Sequence, residues 1–238
     1  MIAAAGAHPL DNPVWSSLSG AHAALGEVAS VDGASAGRYR TDVCPFGAVE
    51  DSANPACWAA LASVLGGRAT CLLIDPAMVP VGWEVVTVIP GVQMDGTGLE
   101  PADVADVADV VTLTDADLPE MLALVERTRP GPYLPRTIEM GRYLGVRRDG
   151  QLVAMAGERL QPPGWTELSA VCTDGRCRGQ GLGTRLVRAV AAGVRIRGQL
   201  PFLHAAADNV NAIRLYEGLG FTLRRMGSFT IVKPLAAG

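Results

Sequence analysis

The sequence predicts an α/β fold, in which strands and helices alternate along the chain, and three observations lead to this prediction. Two strand-like runs, 142–148 and 151–160, are separated by Asp149-Gly150, a dipeptide typical of two-residue type I′ hairpin turns. A third strand-like run, 165–173, follows a Pro-Pro-Gly turn. In the run 182–197 apolar residues recur every fourth position, which is the spacing of an amphipathic helix packed on a sheet.

The first half of the chain predicts an α/β domain of its own and contains no catalytic motif. Two helices and two strands are predicted there, over residues 13–25, 56–65, 68–74 and 83–89. Asn54-Pro55 supplies the start of the second helix, and Pro90 and Gly91 mark the end of the last strand.

The two halves are predicted to be joined by an exposed linker. Residues 95–109 are rich in Gly, Asp and Ala, a composition typical of linkers. We therefore expect two domains, 1–109 and 110–238. The order of helices and strands raises the hypothesis that the first domain is a reduced copy of the second.

Charge is distributed unevenly between the two halves. The chain has a net charge of −4, but residues 1–126 hold 3 Arg against 17 acidic residues, whereas residues 127–238 hold 16 Arg and one Lys against 7 acidic residues. A positive C-terminal half suits a polyanionic ligand. Nucleic acid is not the expected ligand, because the basic residues are not interleaved with aromatic ones as in known nucleic-acid-binding modules.

Cysteine content and hydropathy predict a cytoplasmic protein. The five cysteines are odd in number and scattered without a C-x-x-C pair, which indicates reduced thiols and neither a disulfide framework nor a zinc site. No apolar run approaches the roughly 18 residues that a membrane span needs, and residues 1–10 do not have the pattern of a signal peptide. We expect neither a membrane partner nor a bound metal.

A glycine-rich turn, residues 178–183 with the sequence R-G-Q-G-L-G, lies between the strand 165–173 and the helix 182–197. Such a turn exposes backbone N–H groups at the positive end of a helix dipole, an arrangement that binds phosphate. A Walker-type loop is excluded because Lys233 is the only lysine. The spacing G-x-G-x-G also differs from the G-x-G-x-x-G of dinucleotide-binding proteins.

The residues that follow the turn indicate which phosphate is bound. After R-x-x-G-x-G come the strand 201–207 and the segment Asn209-x-x-Ala212-Ile213-x-Leu215-Tyr216-x-x-x-Gly220-Phe221. Over residues 110–233 this pattern resembles the GNAT superfamily of acyl-CoA-dependent N-acetyltransferases. Residues 167–173, E-L-S-A-V-C-T, more loosely resemble the glycine N-acyltransferase branch. The resemblance implies a mixed, largely antiparallel sheet flanked by helices.

The resemblance also implies acetyl-CoA as the co-substrate and an assignment of the residues that bind it. Backbone groups of the strand end would pair with the pantetheine arm, the glycine-rich turn would hold the pyrophosphate, and the segment after the next strand would complete the site. The implied residues are Val171, Cys172, Thr173, Arg178, Gly179, Gln180, Gly181, Leu182, Gly183, Thr184, Asn209, Ala212 and Tyr216. Asn209 also fits the N-cap of a helix, and both roles are compatible.

The implied reaction is direct transfer of an acetyl group, or another acyl group, to a primary amine of a small molecule or peptide. Tyr216 matches the position of the family's general acid. An attacking amine must lose a proton, and Glu167 is the first candidate for the base, with Glu158 on the neighbouring strand as the second. The structural alternatives are core packing for Tyr216 and a solvent-exposed sheet face for either glutamate.

Several readings stay open at the level of sequence. A GNAT fold can keep the cofactor loop without a working acceptor site, so that the alternative function is a non-catalytic acyl-CoA-binding or regulatory module. The Arg-rich, Lys-poor composition is typical of a GC-rich bacterial genome. The sequence leaves open the amine acceptor, the acyl-chain length and whether the chain forms a homodimer.

Overall fold

A computed structural model describes residues 8–66, 69–100 and 109–235 of the chain. Within the first two ranges the elements are, in order, α1 (Pro13–Leu18), β1 (Gly26–Val31), β2 (Ala34–Tyr39), β3 (Gly47–Val49), α2 (Pro55–Leu65), β4 (Cys71–Ile74) and β5 (Trp83–Asp95). The third range contains β6 (Val110–Leu113), α3 (Leu118–Thr128), β7 (Tyr143–Arg148), β8 (Gln151–Glu158), β9 (Trp165–Thr173), α4 (Leu182–Ile196), β10 (Leu200–Ala206), α5 (Val210–Gly218) and β11 (Thr222–Pro234).

A mixed, largely antiparallel sheet flanked by helices is the main feature of the molecule, which confirms the expected fold class. Its eight strands follow the order β4-β11-β5-β10-β9-β8-β7-β6, and only β9 and β10 of these pair in parallel. The smaller sheet β1-β2-β3 packs with α1 and α2 in the N-terminal half. The turn between β7 and β8 has positive φ at both Asp149 (50°) and Gly150 (77°), as a type I′ hairpin requires.

The strand β5 joins the two halves of the chain, because it lies between β10 and β11 in the large sheet. The sequence predicted that Pro90 and Gly91 end this strand, but β5 continues through them to Asp95. Gly91 allows close packing there, since a Cβ at this position would lie 2.6 Å from the Phe229 ring. Of the predicted linker, residues 101–108 lie outside the described residues.

Two N-terminal helices differ in how well their bounds were predicted. Helix α2 begins at Pro55 with the Asn54 side chain accepting a hydrogen bond from the Ala56 N–H at 3.0 Å, as the sequence predicted. Helix α1 ends at Leu18, although the prediction extended to residue 25, because it is followed by Ser19 and Gly20, which have weak helix propensity.

Helix α4 packs on the large sheet through the residues that the four-residue periodicity singled out. Its four periodic residues, Leu182, Leu186, Val190 and Val194, are all buried. They share one core cluster with Val92 and Met94 of β5. The helix that follows the glycine-rich turn is therefore held rigidly against the sheet, and its N-terminus is fixed beside the end of β9.

Candidate active site

The large sheet splits between β9 and β10. Residues 200–202 of β10 pair with residues 165–167 of β9. Beyond these residues β10 stays paired with β5 on its other edge, β9 stays paired with β8, and the two strands separate. The split opens a cleft of about 560 Å³, here called the sheet cleft. Its walls are residues 168–171 of β9 and 204–206 of β10, together with Phe46, Leu72, Ile89, Arg129, Pro130, Gly131, Pro132, Arg159, Asp208, Asn209, Ala212, Tyr216 and Phe229.

A second cleft of about 530 Å³, the loop cleft, adjoins the sheet cleft at the end of β9. The residues that it shares with the sheet cleft are Arg129, Pro130, Val171, Asn209 and Ala212. Most of the residues that the resemblance assigned to cofactor binding line the loop cleft: Val171, Cys172, Thr173, Arg178, Gly179, Gly181, Leu182, Gly183, Thr184, Asn209 and Ala212. Gln180 is exposed and lines neither cleft.

The glycine-rich turn places donors at the N-terminus of α4. Gly179 and Gly181 have φ of 78° and 74°, in the left-handed region that glycine adopts without strain. Gly181 is the N-cap of α4 and provides no side chain to bond the first N–H groups, those of Leu182, Gly183 and Thr184. A Cβ on Gly179 or Gly181 would lie more than 4 Å from every atom of the described residues outside its own chain neighbours, so both positions face open space there. Gly183 differs from them, because a Cβ there would make ordinary contact with Leu215 at 3.8 Å.

Arginine side chains near the turn differ in how they are engaged. Arg127 and Arg176 both bind Asp174, the residue that caps the short helical turn before the loop. Arg185 forms an ion pair with Asp109. Arg178 is exposed and forms no ion pair with any residue of the described ranges, so its charge is available to a ligand in the loop cleft.

A β-bulge interrupts β9 beside the junction of the two clefts. Met155 pairs with Cys172 and Gly157 pairs with Ser169, so one residue of β8 lies opposite two residues of β9. Ala170 has φ of 53°, unusual for a residue with a side chain. A bulge leaves the extra residue out of the regular ladder, and Ala170 and Val171 both line the sheet cleft.

Asn209 and Tyr216 lie on α5, which begins directly after β10. Asn209 Oδ1 accepts a hydrogen bond from the Ala212 N–H at 3.2 Å, so that the predicted N-cap role is confirmed. Tyr216 is buried and lines the sheet cleft, and its hydroxyl makes no hydrogen bond to any residue that the structure describes. Burial raises the pKa of Tyr216 to about 12, which keeps the hydroxyl protonated at neutral pH.

Glu167 lies where β9 and β10 are still paired, and it is fully buried rather than exposed on a sheet face. Arg159 donates to it from Nε and Nη2, both at 2.7 Å, and His204 Nδ1 lies 2.7 Å from Oε1. Burial by itself would raise the pKa of Glu167, but the charge and hydrogen bonds of Arg159, with those of His204, lower it to about 2. Glu167 lines neither cleft.

Two further groups bear on the chemistry of the site. Glu158, the second candidate base, pairs with Arg197 at 2.7 Å and lines neither cleft. Burial raises the pKa of the Cys172 thiol to about 11, so the thiol beside the junction is protonated at neutral pH and is a poor nucleophile.

Sequence reasoning missed the residues that close the inner end of the sheet cleft. Phe46, Leu72 and Ile89 come from the first half of the chain, and Phe229 comes from β11. Arg159 lies at the same end, with its guanidinium carbon 4.7 Å from the centre of the Phe46 ring. No local motif marks these residues, because long-range strand pairing alone brings them to the cleft.

The described residues contain neither a cluster of metal-ligating side chains nor a membrane-spanning helix. No group of three or more His, Cys, Asp or Glu side chains there could hold a metal ion. None of the helices in those ranges has the length and apolar composition needed to cross a membrane.

Comparisons with known proteins identify the family. Residues 143–229 match the family model of FR47-like proteins. A crystal structure from Novosphingobium aromaticivorans, assigned to the GNAT family of acetyltransferases, shares 41% sequence identity over 95% of this chain and 99% of its own, with a TM-score of 0.83. No curated protein matches the sequence.

Two more distant structures share the fold across nearly the whole chain. A GCN5-related N-acetyltransferase from Kribbella flavida has 19% identity and a TM-score of 0.56, over 89% of this chain and 90% of its own. A GCN5-related N-acetyltransferase-like protein from Streptococcus suis has 16% identity and a TM-score of 0.56, over 96% and 94%. The extent and identity of the Novosphingobium match establish that this chain belongs to the GNAT family of acetyltransferases.

Proposed function

We propose that the chain transfers an acetyl group from acetyl-CoA to a primary amine of a small molecule or peptide. The observation that carries this proposal is the junction of the two clefts. The glycine-rich turn opens into the loop cleft, and Val171, Asn209 and Ala212 line both clefts. Tyr216, whose hydroxyl bonds no residue of the described ranges, lines the sheet cleft. The five free cysteines suit a reducing compartment, and we propose the bacterial cytoplasm.

The loop cleft fits the phosphates and the extended arm of coenzyme A. Uncapped N–H groups at the start of α4 and the exposed Arg178 side chain would hold the pyrophosphate. Backbone groups at the end of β9, from Val171 to Thr173, would pair with the amides of the pantetheine arm. When bound, acetyl-CoA supplies a thioester carbonyl that an amine can attack directly.

The residues at the junction are suited to that attack. We propose that a backbone N–H at the β9 bulge polarises the carbonyl, as an oxyanion donor does. The Tyr216 hydroxyl would donate its proton to the departing thiolate, a role that requires the protonated form that burial maintains.

The proton that the amine loses would pass to water in the sheet cleft, and Glu167 is proposed to assist this step only through the side chains that surround it. It is ionised at neutral pH, but Arg159 and His204 separate it from the sheet cleft. A change of Glu167 should therefore act through the placement of these two neighbours. This distinguishes it from Tyr216, which lines the cleft itself.

Acetylation of a panel of amines tests the proposal. Replacing Tyr216 by Phe should lower kcat by about 100-fold or more while acetyl-CoA still binds, because a general acid is lost. The matched control is Tyr143→Phe, which removes a buried hydroxyl without a hydrogen-bond partner in the part of the chain that the structure describes, and it is expected to leave kcat unchanged.

Two outcomes would contradict the proposal. Unchanged turnover of Tyr216→Phe would remove the acid role of Tyr216. Tight acetyl-CoA binding without transfer to any amine of the panel would instead support the non-catalytic binding or regulatory module.

A further inference from the structure

The inner end of the sheet cleft contains a buried arginine that is only partly bonded. Arg159 is 6% exposed, and it lines the cleft with its guanidinium packed over the Phe46 ring. Its Nε and Nη2 groups donate to Glu167 at 2.7 Å. This bidentate pair fixes the plane of the guanidinium and leaves Nη1 on the side away from Glu167.

The Nη1 group of Arg159 is available to a ligand. It has no hydrogen-bond partner among the residues of the described ranges, and it is not one of the fully enclosed atoms without a partner. Since Arg159 lines the sheet cleft, the accessible Nη1 donors face that space. Leaving such donors unpaired in a largely buried site is costly, so a ligand that accepts from them gains affinity.

The charges around the cleft favour an anionic ligand group. Glu167 lies behind Arg159, held also by His204, and does not reach the cleft. The charged side chains that do line it are Arg129, Arg159 and Asp208, of which Asp208 is at the exposed, outer end beside Asn209. The inner end thus presents the Arg159 guanidinium and the His204 ring, and its other walls are apolar, with Phe46 and Phe229 among them.

We propose that the amine acceptor also carries a carboxylate, as a free amino acid does, and that Arg159 Nη1 binds this carboxylate at the inner end of the sheet cleft. This inference rests on the proposed amine acetylation, for which the cleft must place an amine at the junction. A polyamine or an aminoglycoside would bring further positive charge towards Arg159 and is disfavoured. The apolar walls suit an acceptor with an aliphatic or aromatic side chain.

Three ligands of one shape test the inference: phenylalanine, phenylalaninamide and 2-phenylethylamine. Alanine, alaninamide and ethylamine form a smaller set, so that ligand size does not decide the result. Calorimetry on the protein saturated with CoA should show that the amino acid of each set binds about tenfold more tightly than the corresponding amide. The reason is that hydrogen bonds from the Arg159 guanidinium to a carboxylate are charge-assisted. Equal affinities, or no binding of either amino acid, would overturn the inference.

Paired substitutions test the role of Arg159. Arg159→Gln combined with Glu167→Gln removes both charges together and should abolish the preference for the carboxylate. The matched control is Arg147→Gln with Glu120→Gln, an Arg–Glu pair outside both clefts, and it should retain the preference. If the Arg159 and Glu167 double variant still prefers the carboxylate ligands, the inference is overturned. If that variant does not fold, the affinities of the wild type for each amino acid and its amide still test the inference.

Acetyl transfer to the same ligands separates this inference from the proposed function. If the amino acids bind more tightly than their amides but none of the ligands is acetylated, the carboxylate subsite is supported and the amine acetylation is refuted. Transfer at equal kcat/KM to an amino acid, its amide and the simple amine would support the acetylation and refute the subsite.

Discussion

The charge state of Glu167 is determined by the side chains that surround it. Its carboxylate is fully buried, which alone would favour the neutral form, yet Arg159 and His204 stabilise the charge. The ordinary pKa of 4.5 falls to about 2 in the folded protein. A carboxylate with a depressed pKa contributes stability that is fully present above its unfolded pKa and is lost as the pH falls towards the folded value.

The free energy of unfolding should therefore decrease between pH 4.5 and about 2. The contribution of this one group is on the order of 3 kcal/mol, from the size of the shift. Urea titrations at several pH values should show a steeper loss for the wild type than for the Arg159→Gln, Glu167→Gln double variant, in which the carboxylate is absent. Parallel pH profiles for the two proteins would show that the pair makes no such contribution.

At the scale of elements, the glycine-rich turn couples backbone conformation to ligand binding. Gly181 has φ of 74° and its missing Cβ faces the loop cleft. Gly181→Glu should abolish acetyl-CoA binding, because it adds bulk and negative charge where the pyrophosphate is proposed to lie. Calorimetry measures the loss.

A matched control separates this effect from backbone strain. Gly198 has φ of 73°, also faces open space and lies outside both clefts. Gly198→Glu therefore brings a similar strain, about 1–2 kcal/mol, without touching the site. If acetyl-CoA bound as well to the Gly181 variant as to this control, the assignment of the turn to the pyrophosphate would be wrong.

The turn and α5 could be predicted because their signals are local. A glycine-rich turn before a periodic helix and an Asn at a helix start determine structure within a few residues. Strict alternation along β9 would put Glu167, Ser169 and Val171 on one face of the sheet, yet all of residues 168–171 line the sheet cleft and Glu167 does not. The strand is still paired with β10 at Glu167, and the bulge at Ala170 breaks the alternation beyond it.

The inner end of the cleft lay beyond sequence reasoning for a different reason. Phe46 and Ile89 are far from the motifs in sequence. Ile89 reaches the cleft because β5 inserts between β10 and β11, and Phe46 reaches it because it bridges to Leu72 of β4, which pairs with β11. Pro90 and Gly91 gave a local signal for a strand end, and the tertiary packing of Gly91 against Phe229 overrode it. Pairings between distant strands leave no trace in a single sequence that periodicity can detect.

At the scale of the whole molecule, the large sheet draws on both halves of the chain. The boundary proposed between residues 109 and 110 separates β4 and β5 from the strands that they pair with. Of the 13 residues of β5, all except Val86 pair with β11, residues 91–95 also pair with β10, and Val92 and Met94 contribute to the core under α4. Without β5, two strands would expose unpaired edges and the core would lose two buried side chains, each worth about 1.5–3 kcal/mol.

Residues 110–238 expressed alone should therefore be insoluble or lack a cooperative thermal transition, which circular dichroism would measure. Co-expression with residues 1–109 should restore a soluble complex, because the first fragment supplies β5 to the gap between β10 and β11. The same complex should recover acetyl-CoA binding, since α4 would again be fixed against an intact sheet. A fragment 110–238 that melts cooperatively at the Tm of the full chain would show that the second half is an independent domain and that β5 is dispensable for its stability.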